Sequence, residues 1–159
     1  MAHKIAWYAI ITAVVLIAVV IGANLTYHYF GSGANGGAGS GDLSGSNIDI
    51  YSAEYGFGST ASNIRSPGPT ISLTSGQTVS VTLHNVGKTP HNWAIVKDKT
   101  DGSTNLGFSG AQIASASNPL AAGATKSINF TVGSPGNYYY ICQVDGHVSL
   151  GMWGTVTVQ

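Results

Sequence analysis

Hydrophobic and polar residues alternate with a period of two along several stretches in the C-terminal two thirds of the chain. Apolar side chains occupy every second position of 79–83, 128–132 and 156–158, with Ser, Thr and Asn between them. This alternation is typical of antiparallel strands with one buried face. Turn sequences rich in Gly and Pro separate the stretches, and no 3.6-residue repeat interrupts them. The pattern predicts an all-β sandwich over residues 48–159.

A continuous apolar run of a different kind lies near the N-terminus. Residues 5–23 carry no charge, and a helix of that length would span about 28 Å, close to the ~30 Å hydrocarbon core of a bilayer. The run is longer than the apolar part of a signal peptide, and no clear cleavage site follows it. We expect a transmembrane helix at about 5–23 within a membrane anchor at 1–30, with a cleaved signal peptide as the alternative.

The residues on either side of the apolar run predict its orientation and a linker after it. Lys4 precedes the run, which favours an N-terminus on the inner side of the cell membrane. The rest of this single-pass protein would then lie on the extracytoplasmic side. Residues 31–47 contain seven Gly and four Ser, a composition that predicts a flexible linker with an r.m.s. span of about 20–25 Å.

Sulfur and imidazole donors recur near the C-terminus with a regular spacing. Cys142, His147 and Met152 form the pattern C-x4-H-x4-M, and His91 lies upstream between Pro and Asn. A thioether is a poor zinc ligand, whereas two imidazoles, one thiolate and a weak axial thioether are the ligand set of blue-copper sites. The residues therefore predict one type 1 copper bound by His91, Cys142, His147 and Met152.

The sequence around the Cys also predicts how it is held. Tyr138, Tyr140 and Cys142 fall on one face of a strand, which we expect to be the inward face. Cys142 would then lie at the end of a buried strand. We expect a backbone N–H, such as that of Asn92, to donate a hydrogen bond to its sulfur.

The segment 142–153, together with Pro90-His91-Asn92, resembles the cupredoxins. The run from Tyr138 to His147 and the Gly-Met-Trp-Gly after it are most similar to sulfocyanins and rusticyanins. The resemblance implies a Greek-key β-sandwich, the same four copper ligands, and transfer of single electrons between respiratory chain components such as a cytochrome or a terminal oxidase. Asp145 stands where rusticyanin-like loops have Pro, and since a carboxylate near the metal favours Cu(II), we do not expect a very high potential.

Composition excludes several other functions. The chain has six Lys or Arg and six Asp or Glu, 8% of its residues, with zero formal net charge, so it lacks the clustered cations of a nucleic-acid binder. Multicopper enzymes of this fold need further His ligands, and a binuclear copper site needs a second Cys, but the chain has five His and one Cys. We therefore expect an electron carrier and not an enzyme, with copper delivery or storage on the same fold as the alternative.

The low charge content and the apolar residues beside His147 suggest two further properties. A domain with few carboxylates has few groups whose protonation in acid would destabilise it. Since the resemblance points to proteins of acidophiles, we expect the domain to stay folded well below pH 4. The apolar Val148, Leu150 and Trp153 would form a docking patch around the His147 edge, whereas Trp93 is expected in the core.

Overall fold

The structure is a computed structural model that describes residues 41–159. This part of the chain contains strands, turns and loops but no helix. In chain order the strands are β1 (Leu43–Ser44), β2 (Asn47–Ala53), β3 (Gly56–Gly58), β4 (Ile64–Arg65), β5 (Ile71–Leu73), β6 (Thr78–Asn85), β7 (Trp93–Val96), β8 (Gln112–Ile113), β9 (Thr125–Thr131), β10 (Gly136–Ile141) and β11 (Trp153–Val158).

The strands form two sheets with one core between them. The first sheet has the order β1-β5-β11-β10-β7-β8, and the second has the order β4-β3-β2-β6-β9. Pairing is antiparallel except for β1 with β5, β5 with β11, and β2 with β6. One cluster of buried side chains includes residues of both sheets. The predicted all-β sandwich is therefore confirmed.

The alternating stretches form the buried face of the strands, as the pattern predicts. In β6 the side chains of Val79, Val81 and Leu83 are buried, and the residues between them are partly exposed. In β11 the side chains of Val156 and Val158 are buried in the same way. Burying an aliphatic side chain of this size stabilises a fold by about 1.5–3 kcal/mol. The period of two thus fixes which face of each strand is buried, and with it the register in which the strands pair.

Strand β10 lies between β7 and β11 in the first sheet, and Tyr140 fixes its position. The Tyr140 side chain is fully buried, and its hydroxyl donates a 2.6 Å hydrogen bond to the carbonyl oxygen of Pro69. Its ring packs over Gly154, directly opposite on β11, where a Cβ atom would lie 2.2 Å from the ring. Burial raises the pKa of the Tyr140 hydroxyl, which therefore stays a donor. The strand end that precedes Cys142 is held in one register.

Strand pairing begins earlier than the predicted domain boundary at residue 48. Strand β1 lies inside the predicted linker 31–47, and it pairs in parallel with β5. The Leu43 side chain packs against the core, and its N–H donates to the carbonyl oxygen of Thr70 at 2.8 Å. A single apolar residue among Gly and Ser is enough to form an edge strand here, because main-chain hydrogen bonds hold the strand. Composition does not reveal such bonds. The linker prediction is therefore wrong for this short stretch.

The predicted membrane anchor at 1–30, with its helix at about 5–23, lies outside the described residues, as do residues 31–40 of the predicted linker. Within 41–159, no helix is long and apolar enough to cross a membrane.

Candidate metal centre

The topology of the first sheet brings the predicted ligands to one end of the sandwich. Ile141, the last residue of β10, pairs with Ala94 near the start of β7 and with Trp153 at the start of β11. Cys142 directly follows β10, Met152 directly precedes β11, and His91 lies two residues before β7. Antiparallel neighbours present opposite chain ends at the same sheet edge. Three ligands that are distant in sequence therefore start from adjacent backbone positions.

The donor atoms of three predicted ligands lie close together in the interior. His91, Cys142 and His147 are all buried, and each offers one ligand atom within 4.8 Å of the others. The Cys142 Sγ lies 3.3 Å from Nδ1 of His147 and 4.0 Å from Nδ1 of His91. The two imidazole rings have centroids 5.1 Å apart and are tilted by 59°. The sulfur of one thiol and the Nδ1 atoms of two imidazoles thus converge on one point.

Met152 completes the predicted set through the fold of its loop. Its side chain is fully buried. Its N–H donates to the carbonyl oxygen of His147 at 3.0 Å, and its carbonyl oxygen accepts from the Cys142 N–H at 3.1 Å. These two main-chain hydrogen bonds close the loop between β10 and β11. The Met152 backbone is therefore tied to both of the loop's other ligands, and its thioether is held in the buried interior beside them.

A buried polar cluster supports the thiol. The Asn92 N–H approaches the Cys142 Sγ at 3.5 Å, which confirms the predicted hydrogen bond. The Asn92 amide also accepts from the Gln143 N–H at 2.6 Å and donates to Gln143 Oε1 at 2.7 Å. Burial raises the pKa of the Cys142 thiol, although the N–H groups of Asn92 and Val144 oppose the shift. Loss of the thiol proton is therefore coupled to the arrival of a metal.

Both imidazoles have a lowered pKa, which favours their neutral form. Burial, followed by the proximity of His147, lowers the pKa of His91 to about 4. Burial also lowers the pKa of His147, while Asp101 acts in the opposite direction. Neutral imidazoles have a nitrogen lone pair available for a metal at neutral pH.

Asp101 holds the ligand loop from outside, and sequence reasoning missed it. Its carboxylate accepts hydrogen bonds from the N–H groups of Gly146 at 2.8 Å and Val148 at 3.3 Å, and from the Ser149 hydroxyl at 3.3 Å. These three residues surround His147 in the chain. The Asp101-Gly102 pair signals a turn, but nothing in a local pattern connects it with residues 45 or more positions later.

The predicted docking patch is only partly exposed. Val148 is buried, and Trp153 is half-buried beneath the Lys99 ammonium, which lies 3.7 Å from the centroid of its ring. Leu150 is exposed as predicted, and Trp93 is in the core as predicted. The sequence did not point to Tyr55, whose exposed ring meets His147 edge-on at a centroid distance of 5.0 Å.

The donor chemistry fits copper. A thiol, two imidazoles and a thioether are the soft and borderline ligands that type 1 copper takes, and here they are buried together without competing carboxylates. Within residues 41–159, no other group of three His, Cys, Asp or Glu side chains is placed to hold a metal. His91, Cys142, His147 and Met152 are thus positioned as a single type 1 copper site.

Comparisons with known proteins agree with this site. A family model described as copper binding proteins of the plastocyanin/azurin family matches residues 45–159, which confirms the resemblance to cupredoxins. No curated protein sequence gives a significant match.

Several solved structures share the fold. Reduced auracyanin from the photosynthetic bacterium Roseiflexus castenholzii is 24% identical, with a TM-score of 0.57 over 73% of this chain and 98% of its own. Rusticyanin from Thiobacillus ferrooxidans is 21% identical, with a TM-score of 0.54 over 72% of this chain and 79% of its own. A multicopper oxidase is also 21% identical, with a TM-score of 0.50 over 71% of this chain and 41% of its own.

Replacing Asp101 by Ala should loosen the ligand loop. Three hydrogen bonds to one exposed carboxylate are lost, so we expect the free energy of unfolding of the copper-free protein to fall by about 1–2 kcal/mol. Denaturant unfolding of the full-length protein measures this change. The matched control is Ser149→Ala, which removes one of the three donors and should cost less than half as much. Equal stability of the Asp101→Ala variant and the wild type would show that the carboxylate does not hold the loop.

Proposed function

The chain belongs to the plastocyanin/azurin family of copper binding proteins, and on this premise we propose that it carries single electrons by way of one type 1 copper. The observation that carries the proposal is the buried convergence of His91, Cys142 and His147. Bound copper would supply a one-electron couple between its two common oxidation states.

The protein's own residues keep the site dry and fixed. His91, Cys142 and Met152 are fully buried, so water cannot reach the site past them. Main-chain hydrogen bonds of Cys142 and His147 to Met152 limit movement of the loop. A ligand set that does not rearrange suits both oxidation states, so the reorganisation energy of electron transfer stays low. Rigid, buried ligands support a carrier in preference to copper delivery, which needs ligands that an acceptor can reach.

His147 provides the shortest path to the surface. It is 9% exposed, whereas His91 and Cys142 are fully buried. Tyr55 lies against its ring, and Leu150 belongs to its loop. Electrons would therefore enter and leave at the His147 edge of the site.

The surface near this edge suits an apolar partner surface. The exposed large hydrophobic residues of 41–159 are Tyr55, Val86 and Leu150, at 37%, 45% and 57% exposure. Tyr55 packs on His147, and Tyr55 and Leu150 line one surface pocket. Because the chain has no net charge, we propose docking by apolar contact with a respiratory redox protein, a cytochrome or a terminal oxidase. Brief encounters of this kind bury less than about 1,200 Å².

The sequence pattern supports a tether for this domain. The apolar run 5–23 and the Gly- and Ser-rich residues after it favour a single-pass anchor, with the copper domain on the extracytoplasmic side. A tethered carrier would stay within reach of membrane-bound redox partners.

Optical and paramagnetic-resonance spectra of the oxidised, copper-loaded protein test the proposed function. We expect one copper per chain and the intense visible absorption of a thiolate-to-copper transition. Cys142→Ser should abolish this absorption because it removes the thiolate. His84→Gln should keep it, since His84 lies on β6 and hydrogen-bonds Asp49, away from the site. A colourless copper-loaded wild type, or more than one copper per chain, would contradict the proposal.

An acidic working environment is a further part of the proposal, and it predicts stability in acid. Hydrogen bonds from its own N–H and those of Lys88 and Thr89 lower the pKa of Glu54 to about 2. The Thr100 hydroxyl is the largest cause of a lowered pKa at Asp98. Stabilisation from a lowered carboxyl pKa is present above the ordinary value, 4.5 for Glu54, and is lost as the pH falls through the folded value.

Because the chain has only six Asp and Glu residues, few groups lose stabilisation on protonation, and we expect the full-length protein to remain folded well below pH 4, as followed by circular dichroism. The stability difference between the wild type and Glu54→Gln should shrink as the pH falls from about 5 towards about 2. Cooperative unfolding of the wild type between about pH 5 and 4 would contradict the prediction.

A further inference from the structure

A chain of hydrogen bonds reaches His91 from the side opposite the thiol. Nδ1 of His91 faces Cys142 Sγ at 4.0 Å, and Nε2 lies 3.2 Å from the Thr89 hydroxyl oxygen. That hydroxyl donates in turn to Oε1 of Glu54, also at 3.2 Å. The chain therefore runs from a carboxylate through a hydroxyl to an imidazole, and from its other nitrogen to the metal site.

The hydrogen atoms along this chain can be assigned from the chemistry of its members. An ionised carboxylate only accepts, so the single hydrogen of the Thr89 hydroxyl points to Glu54. The Thr89 oxygen is then left as an acceptor for His91. It follows that Nε2 of His91 carries the proton and that the lone pair of Nδ1 faces Cys142. The reverse orientation would place two acceptor oxygens together without a hydrogen between them.

The backbone around Glu54 is shaped to receive its carboxylate. Oε1 also accepts from the N–H groups of Lys88 and Thr89, the latter at 2.8 Å. A Cβ atom at Gly87 would lie 2.8 Å from this oxygen, so glycine at residue 87 leaves room for the carboxylate in its observed position. Three donors on one oxygen favour the ionised carboxylate, and hydrogen bonds of this kind lower the pKa of Glu54 to about 2.

The turn itself is anchored independently of Glu54. The Asn85 side-chain amide donates to the carbonyl oxygens of Thr89 and Leu120, both at 2.9 Å, and accepts from the Gly87 N–H at 3.1 Å. Glu54 reaches the turn from the corner between β2 and β3. Tyr55, the next residue, packs on His147. One corner of the second sheet therefore acts on both imidazoles.

We infer that Glu54 and Thr89 are positioning residues for the metal centre: Glu54, acting through the Thr89 hydroxyl, holds His91 as the Nε2–H tautomer with Nδ1 ready to bind copper. The inference rests on the proposed copper function for its purpose, but the tautomer itself is a property of the copper-free protein. Outer hydrogen bonds of this type orient a ligand ring and strengthen its binding, and their loss typically weakens metal affinity 10–100-fold.

Nitrogen NMR of full-length protein carrying ¹⁵N-labelled histidine tests the tautomer, because the two ring nitrogens differ in shift according to which one is protonated. In the copper-free wild type we expect His91 as Nε2–H. Thr89→Val keeps the side-chain shape but removes the hydroxyl, and Glu54→Ala removes the acceptor, so both should give mixed tautomers. Thr89→Ser should restore the wild-type signal. Asp49→Ala is the matched control, since Asp49 hydrogen-bonds the remote imidazole of His84 at 2.7 Å.

The rate of copper loss from the Cu(I)-loaded protein to a chelator provides the second readout. We expect loss to be about 10–100-fold faster for Thr89→Val and Glu54→Ala, and within about twofold of the wild type for Thr89→Ser and Asp49→Ala. Lower stability of Thr89→Val and Glu54→Ala with an unchanged tautomer and an unchanged rate would overturn the inference, because Glu54 would then only cap the turn.

The two proposals fail in different ways. An Nδ1–H tautomer of His91 in the copper-free wild type would overturn the positioning role and leave a blue, one-copper protein unaffected. A wild type that binds copper without the thiolate absorption would overturn the proposed function, whatever the tautomer of His91.

Discussion

The metal centre depends on the pairing of β10 with two neighbours at once. Ile141 is opposite Ala94 of β7 and Trp153 of β11, so the next residue, Cys142, lies between the chain segments that carry His91 and Met152. Tyr140 keeps this register. Its buried ring occupies the space where a side chain at residue 154 would lie, and its hydroxyl donates a hydrogen bond to the carbonyl oxygen of Pro69. A slip of one residue would turn Cys142 to the opposite face of the sheet. The ligand geometry is therefore a consequence of sheet register.

Groups from remote loops hold the ligands once the register has placed them. Asp101 binds the N–H groups on either side of His147, Asn92 binds the thiol and Gln143, and Glu54 reaches His91 through Thr89. Each comes from a different part of the chain. Side chains that are locked by such outer contacts keep a site within a narrow range of geometries. A carrier benefits from this because little has to move when its charge changes by one electron.

Local patterns in the sequence were enough for the sandwich and the four ligands, because alternation reports burial and C-x4-H-x4-M reports donors on one loop. The hydrogen bond from the Asn92 N–H to the thiol was predicted as well, but the contacts made by Asp101, Glu54 and Thr89 were not predictable in this way. Asp101 acts across 45 residues, and Thr89 acts together with Glu54 across 35, so only tertiary packing brings them together. Strand β1 was missed because its hydrogen bonds belong to the main chain, whereas the anchor predicted at 5–23 stays a prediction.

His91, Cys142 and His147 already lie in ligand positions before copper binds, and we expect them to stay there when the copper changes oxidation state. Crystal structures of the copper-free, Cu(I) and Cu(II) forms of the protein test it most directly. We expect Nδ1 of His91, Sγ of Cys142 and Nδ1 of His147 to shift by less than about 0.5 Å among the three forms. An imidazole that turns away from Cys142 in any of them would contradict a preformed site.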